Sequence, residues 1–250
     1  MDACGEITRD AVLGGALCIC QEKHGYRFSV DSLLLADFVR LGPSDTICEL
    51  GTGCGVVLVV LARLHPKARL YGVEIQQPLY ALAVQNAAQN GFADRIALAC
   101  GDFRNLPFAP VPQKVDAVVA NPPFYRLGSG RSNPSAQKAL ARHEFFAELG
   151  QVLETAARLL PFGGRFFAVY PAGRIVGLLA KARENGLEPK RLRFVHSRVD
   201  APASMALVEA VKNAKEDCLV EPPLVLYQKP GCYSDEACKI LYNKVSAPSA

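Results

Sequence analysis

The chain has 250 residues, half of them hydrophobic and 21% charged, so it can bury a sizeable core and is not globally disordered. Its formal net charge of +4 permits a polyanionic partner without demanding one. Nine cysteines are scattered without a CxxC pair, several within apolar runs such as "TICEL" and "IALAC", which argues against a disulfide framework and points to reduced thiols in a cytoplasm.

The first 20 residues hold acidic residues and no long apolar segment beside basic ones, so no signal peptide is expected. No run approaches the roughly 20 apolar residues needed to cross a bilayer. "ALCICQEKHGYRFSV" reads as a hairpin turning near Gly25, and "DSLLLADFVR" as a helix that Asp31 caps. From "TICEL" (46–50) onward, short apolar strands alternate with longer helical segments. "VVLVVLARLH" is a buried helix and "RLYGVEI" a strand. "PLYALAVQNAAQNG" is a helix opened by Pro78 and closed by Gly91. "RIALACGD" and "VDAVVANP" are further strands. A helix near 144–160 ends at Pro161, Gly163 and Gly164, before the strand "RFFAVYP" and the helix "RIVGLLAKARENG".

This alternation predicts right-handed crossovers and a Rossmann-like, doubly wound, mostly parallel sheet of seven strands. After residue 190 the rhythm changes. "RLRFVHS" and "MALVEAVK" are separated only by "RVDAPAS", which predicts an antiparallel hairpin at one edge; "EPPLVLYQ" and a short helix near 234–243 follow. The expected organisation is an N-terminal hairpin and helix over residues 1–40, and one α/β domain over 41–250 that includes the C-terminal strand and helix.

"CELGTGCGV" places Gly51, Thr52, Gly53 and Gly55 where the first parallel strand passes into its helix. Ligands of open parallel sheets sit beyond the carboxyl ends of the strands, near the switch point, and glycines there let backbone approach a ligand closely. A turn without a ligand needs one glycine, not three. The spacing departs from GxGxxG and no P-loop lysine is present, so a phosphate cradle is disfavoured. Three acids mark successive strand ends instead. Glu49 lies two residues before Gly51. Glu74, 19 residues after Gly55, is placed to accept both hydroxyls of a ribose, and Asp102 to meet the exocyclic amine of an adenine. A ligand with an adenosine end, an amino-acid end and a positive centre suits three acids and no base. S-adenosylmethionine is such a molecule.

The fourth parallel strand ends in Asn121-Pro122-Pro123-Phe124. Prolines fix φ and keep the preceding residues out of helix, so a carbonyl of this turn and the Asn121 side-chain oxygen become acceptors facing the crevice. Two acceptors and few donors suit an amino group that must attack as a nucleophile. Holding its nitrogen in line with a sulfonium methyl lowers the barrier further. Phe124 offers an aromatic face to a flat substrate. No metal enters this chemistry, and the spacing of Cys218, Cys232 and Cys238 lacks a structural-zinc pattern.

"ELGTGCG", "GVEI", "GDF" and "NPPF", in this order and spacing, resemble a class I S-adenosylmethionine-dependent methyltransferase that methylates amino groups. "GYRFSVDSLLLADFV", "ARHE" and the tail "EPPLVLYQKPGCYSDEACKILYN" narrow the resemblance to the bacterial tRNA1(Val) (adenine-37-N6)-methyltransferase family, over nearly the whole chain. The resemblance implies S-adenosylmethionine at Glu49, Gly51, Thr52, Gly53, Gly55, Glu74 and Asp102, catalysis at Asn121, Pro122, Pro123 and Phe124, and adenine N6 of a valine tRNA as acceptor. Glu49 stands where many class I enzymes have Asp, and Cys54 where a small residue such as Ser or Ala is frequent. NPPF is shared with enzymes that methylate rRNA guanine N2, DNA adenine N6 or a protein glutamine amide, so it specifies the chemistry better than the substrate. A catalytically silent RNA-binding module is the remaining alternative, and the intact glycine loop, ribose acid and NPPF argue against it.

A basic loop follows NPPF. Tyr125, Arg126, Arg131 and Arg142, with Lys138 and His143, are the expected RNA contacts there, and Lys190, Arg191, Arg193 and Arg198 form a second basic cluster expected to meet phosphates. No obligate protein partner is evident.

Overall fold

A computed structural model describes residues 6–24, 27–42, 44–122 and 149–242 of the chain. Its centre is a sheet with five consecutive parallel strands: β3 (Thr46–Leu50), β4 (Arg69–Glu74), β5 (Ile96–Cys100), β6 (Ala117–Ala120) and β7 (Arg165–Pro171). Spatially they run β5-β4-β3-β6-β7, and β9 (Ala203–Lys212) then inserts antiparallel between β7 and β8 (Leu187–His196). These seven long strands match the expected number, and β8–β9 is the expected antiparallel hairpin. Two short strands, β10 (Leu219–Val220) and β11 (Leu224–Val225), pair in parallel along the outer side of β8 and extend the sheet.

The strands are apolar on both faces because both faces are covered. Side chains alternate by the two-residue period of a strand. Ile47, Leu70, Ala117, Val119, Phe167 and Val169 join one core with helices α1 (Val30–Phe38), α2 (Val56–Leu64) and α3 (Gln77–Gln89). Cys48, Val73, Val118, Ala120, Phe166 and Ala168 join the other, with α4, described over 149–159, and α5 (Ile175–Glu184). The near-continuous apolar run of α2, from Val56 to Ala62, is buried throughout.

The N-terminal segment departs from expectation. The hairpin pairs β1 (Ile7–Val12) with β2 (Leu17–Glu22) and turns at Leu13, Gly14 and Gly15, all with left-handed φ, rather than near Gly25. Strand β1 alternates exposed and half-buried residues until Val12, so its apolar signal is weak. Asp31 does not cap α1. Ser29 holds the N-cap position without a side-chain hydrogen bond, and Asp31 lies in the first turn, where a negative charge suits the helix dipole.

The hairpin is fastened to α3 by side-chain amides. Asn86 accepts from the Cys20 N–H (2.7 Å) and donates to the Cys20 carbonyl (2.8 Å). Asn90 does the same for Cys18, at 3.0 and 2.8 Å. The match is geometric: four residues of helix advance about 6 Å and two residues of strand about 6.6 Å. The helix thus supplies β2 with amides in the register of a neighbouring strand. Asn86 also donates to the Cys54 carbonyl, 2.8 Å away, in the glycine loop. C-terminally, β12 (Tyr227–Lys229), β13 (Cys232–Tyr233) and α6 (Asp235–Tyr242) complete the fold, with α6 packed against α1.

Asn86 is fully buried, and its removal strands the Cys20 N–H and two carbonyls. Asn86→Ala is expected to cost about 3 kcal/mol of stability in urea unfolding, and Asn90→Ala, at a partly exposed site, about 1 kcal/mol.

Candidate active site

The order β4-β3-β6 sets the site. After β3 the chain crosses to β4 and β5 on one side, whereas β6 and β7 lie on the other, so the crevice of the switch point opens between the carboxyl ends of β3 and β6. Leu50 of β3 pairs with Ala120 of β6, and the next residues are Gly51 and Asn121. The glycine loop and the amide are therefore neighbours by strand register.

Gly51, Gly53 and Gly55 have φ of 72°, 56° and 81°, the left-handed region that glycine adopts without steric cost. The loop folds back on β4: the Gly51 and Thr52 N–H groups both donate to the Val73 carbonyl, at 2.9 and 3.0 Å. The Gly53 N–H donates to Glu74 Oε2 at 2.9 Å, and the Gln76 N–H to Oε1 at 2.9 Å. Gly51 is exposed, and a Cβ there would meet no heavy atom of the described residues within 4 Å. At Gly55 a Cβ would crowd Ala83, 3.0 Å away. The loop is thus closed toward α3 and open at Gly51.

Glu74 is 5% exposed. A carboxylate offers about four lone-pair positions, and the two backbone donors leave capacity for two more, which matches a vicinal diol. Glu49, 2% exposed, accepts from the Thr52 hydroxyl. Burial pushes the Glu49 carboxyl up to about 8, opposed by the Thr52 hydroxyl and reinforced by the charge of Glu74. Among the described residues neither carboxylate has an ion-pair partner. A cationic ligand beside them would supply one, so these residues fit S-adenosylmethionine.

Asp102 caps the short 3-10 turn Phe103–Asn105 by accepting from the Arg104 N–H at 2.9 Å. Its carboxylate also takes the Arg104 guanidinium, with Nε at 2.9 and 2.7 Å from the two oxygens. The Arg104 hydrogen bond holds the Asp102 carboxyl below the usual carboxylate range. The Gly101 N–H donates to the Glu74 carbonyl at 2.9 Å, which brings the end of β5 beside that of β4. Thr52, expected at the cofactor, turns its hydroxyl inward to Glu49 and orients that carboxyl.

Asn121 is half-buried at the end of β6, and Pro122 behind it is buried. The Asn121 Nδ2 donates to Ser32 Oγ of α1 at 3.1 Å, and among the described residues Oδ1 has no hydrogen-bond partner. Pro123, Phe124, Tyr125, Arg126, Arg131 and Arg142 lie outside the described residues. Ser32 and Asn86 carried no signal in the sequence, because each acts through a partner about 90 or 66 residues away.

The second basic cluster is not a free phosphate surface. Arg191, cross-strand partner of Glu209, is buried between Glu209 (2.7 Å) and Glu221 (3.2 Å), with its guanidinium over the Phe38 ring at 3.7 Å. Arg193 pairs with Glu236 and Arg198 with Asp200. The acids that meet Arg191 and Arg193 come from other segments, so those two arginines look free in the local sequence. Among the described residues no group of three or more His, Cys, Asp or Glu side chains is placed to hold a metal ion, and no helix is long and apolar enough to cross a membrane.

Comparison with known proteins agrees with this geometry. Residues 41–218 match the family model described as a methyltransferase domain. A tRNA1(Val) (adenine(37)-N6)-methyltransferase of Porphyromonas gingivalis is 30% identical, over 86% of this chain and 86% of its own. The protein of that name from Bacteroides fragilis is 28% identical, over 89% and 92%. A crystal structure of a predicted O-methyltransferase from Agrobacterium tumefaciens has the same fold, with a TM-score of 0.68 at 18% identity, covering 85% of this chain and 95% of its own. A glycine loop with two buried acids, an amide across the switch point and relatives that match over most of their length converge: the chain belongs to the methyltransferases, and among them to the tRNA1(Val) (adenine(37)-N6)-methyltransferase family.

Proposed function

We propose that the protein transfers a methyl group from S-adenosylmethionine to the exocyclic N6 of an adenine in tRNA, position 37 of a valine tRNA, in the cytoplasm. The observation that carries this reading is the meeting at one switch point of the glycine loop, two buried acids without an ion-pair partner among the described residues, and the Asn121 amide. The names of the relatives support adenine in tRNA over guanine in rRNA or a glutamine amide.

Glu74 holds the ribose hydroxyls with its remaining lone pairs, and Asp102, shared with Arg104, accepts from the adenine amine of the cofactor. Glu49 supplies negative charge behind Gly51 for the positive end of the ligand. The cofactor contributes an electrophilic methyl on a sulfonium, which leaves as a neutral thioether. Asn121 Oδ1 accepts a hydrogen from the target amine. That contact strengthens as charge builds on the attacking nitrogen, so it favours the transition state over the ground state. The amine's proton departs to solvent after the C–N bond has formed, and no strong base is needed. Pro123, Phe124 and the basic residues Arg126, Arg131 and Arg142, with Tyr125, complete the reading as acceptor turn, stacking face and RNA contacts.

Asn121→Ala is expected to lower kcat for methyl transfer into tRNA by at least about 10²-fold with S-adenosylmethionine affinity kept, because it removes a contact to the reacting nitrogen. Unchanged turnover would remove Asn121 from the chemistry. Glu74→Ala is expected to weaken S-adenosylmethionine binding by about tenfold or more in a direct titration, since two charge-assisted acceptors are lost. Binding is also expected to depend on pH. With its carboxyl near 8, free Glu49 is largely protonated at neutral pH, and a cationic ligand favours its ionised form. Affinity should therefore rise as pH increases through about 8 and level off above it, with a proton released on binding. Glu49→Gln should flatten that profile; calorimetry in buffers of different ionisation enthalpy measures the proton directly.

A further inference from the structure

We infer that Ser32 is a positioning residue for the methyl-transfer step, holding the Asn121 amide so that its oxygen and not its nitrogen faces the target amine. The inference rests on the proposed role of Asn121 and adds a residue from outside the matched methyltransferase domain, which begins at residue 41.

The geometry is specific. Ser32 is 2% exposed on α1, and its N–H donates to the Ser29 carbonyl at 3.2 Å, so its backbone is set by the first turn of the helix. Its Oγ stands 3.1 Å from Asn121 Nδ2 across 89 residues of sequence. Helix α1 is itself anchored. It packs on α2 and α6, and the Phe38 carbonyl near its end accepts from buried Arg191 at 2.7 Å. The hydroxyl is therefore a fixed point on a rigid element.

Orientation matters because the two ends of an amide are chemically opposite. Oδ1 accepts hydrogen bonds and Nδ2 only donates them. A half-turn about the terminal torsion, which is broad and roughly two-fold, exchanges them at little steric cost. With nitrogen outward, the amide would present a donor to an amine that must keep its lone pair for attack, and the turn of Asn121 would be unproductive. Asn121 is only half-buried at the end of its strand, so packing alone does not choose between the two. The hydrogen bond to Ser32 Oγ holds the arrangement with the nitrogen end toward α1. Loss of the hydroxyl changes the fraction of molecules with a productive amide. It leaves Glu49, Glu74 and Asp102 untouched, because they sit at or just past the ends of β3, β4 and β5.

The experiment is a double-mutant cycle on the full chain, with Ser32→Ala, Asn121→Ala and both together. It measures kcat and KM for tRNA methylation, S-adenosylmethionine affinity by titration, and thermal unfolding. Ser32→Ala is expected to lower kcat about tenfold with KM for tRNA and cofactor affinity unchanged. The double variant is expected to be no slower than Asn121→Ala alone, since a positioning residue has nothing left to position. The inference is overturned by full kcat in Ser32→Ala when Asn121→Ala has collapsed. It is equally overturned by losses that multiply in the double variant, or by a drop in cofactor affinity that tracks a lowered unfolding temperature. Full activity in Asn121→Ala would instead refute the underlying reading of Asn121, and the two failures are distinct in one data set.

Discussion

The structure depends on how the chain reverses between β3 and α2. A strand buried on both faces must hand over to a helix buried along its whole length, in five residues and with no polar side chain to cap the helix. The solution is backbone. Three glycines in the left-handed region turn the chain, the Val73 carbonyl takes two of its N–H groups, and the Glu74 carboxylate takes a third. Glu74 accepts from the Gln76 N–H with its other oxygen, so one buried carboxylate ties the glycine loop to the entry of α3. The same turn brings the Thr52 hydroxyl onto Glu49 at the end of β3. Two buried acids are thereby gathered at the carboxyl ends of β3 and β4.

The N-terminal segment is part of this machinery rather than an ornament beside it. Asn86 joins β2 to the Cys54 carbonyl in the loop, so the hairpin bears on the turn that shapes the crevice. From the other side, α1 reaches Asn121 through Ser32, and Arg191 fastens the end of α1 to the β8–β9 hairpin. The Arg191 cluster is a costly arrangement in a dry interior, since each charge loses water on burial. Two carboxylates, a backbone carbonyl and the Phe38 face surround the guanidinium and offset that loss. Elements far apart in sequence thus converge on the two sides of one crevice.

Much of this was legible because doubly wound sheets write their pattern plainly. "TICEL", "RLYGVEI" and "RFFAVYP" are apolar runs of strand length bounded by turn residues, and the structure has strands at each. The glycine triplet and the strand-end acids announced a ligand crevice for the same reason, since such residues at that place have few other uses. The misreadings share a different cause. The sequence points to a turn at Gly25 and not at Leu13–Gly15 because β1, with one side exposed, lacks the apolar run that marks a buried strand. Lys190 to Arg198 looked like a phosphate surface because Glu209, Glu221 and Glu236, which neutralise two of its arginines, arrive from distant segments. Ser32 and Asn86 went unseen on the same ground. Local sequence reports local pattern, and these residues act across the fold.

The central claim is that this crevice methylates an adenine amine in tRNA. The most direct measurement supplies the protein with S-adenosylmethionine labelled in its methyl group and with unmodified total tRNA, then digests the RNA and identifies the labelled nucleoside by mass spectrometry. The account predicts label in N6-methyladenosine, with none when the protein is omitted. Label in a guanosine derivative, in protein, or in no nucleoside at all would contradict it.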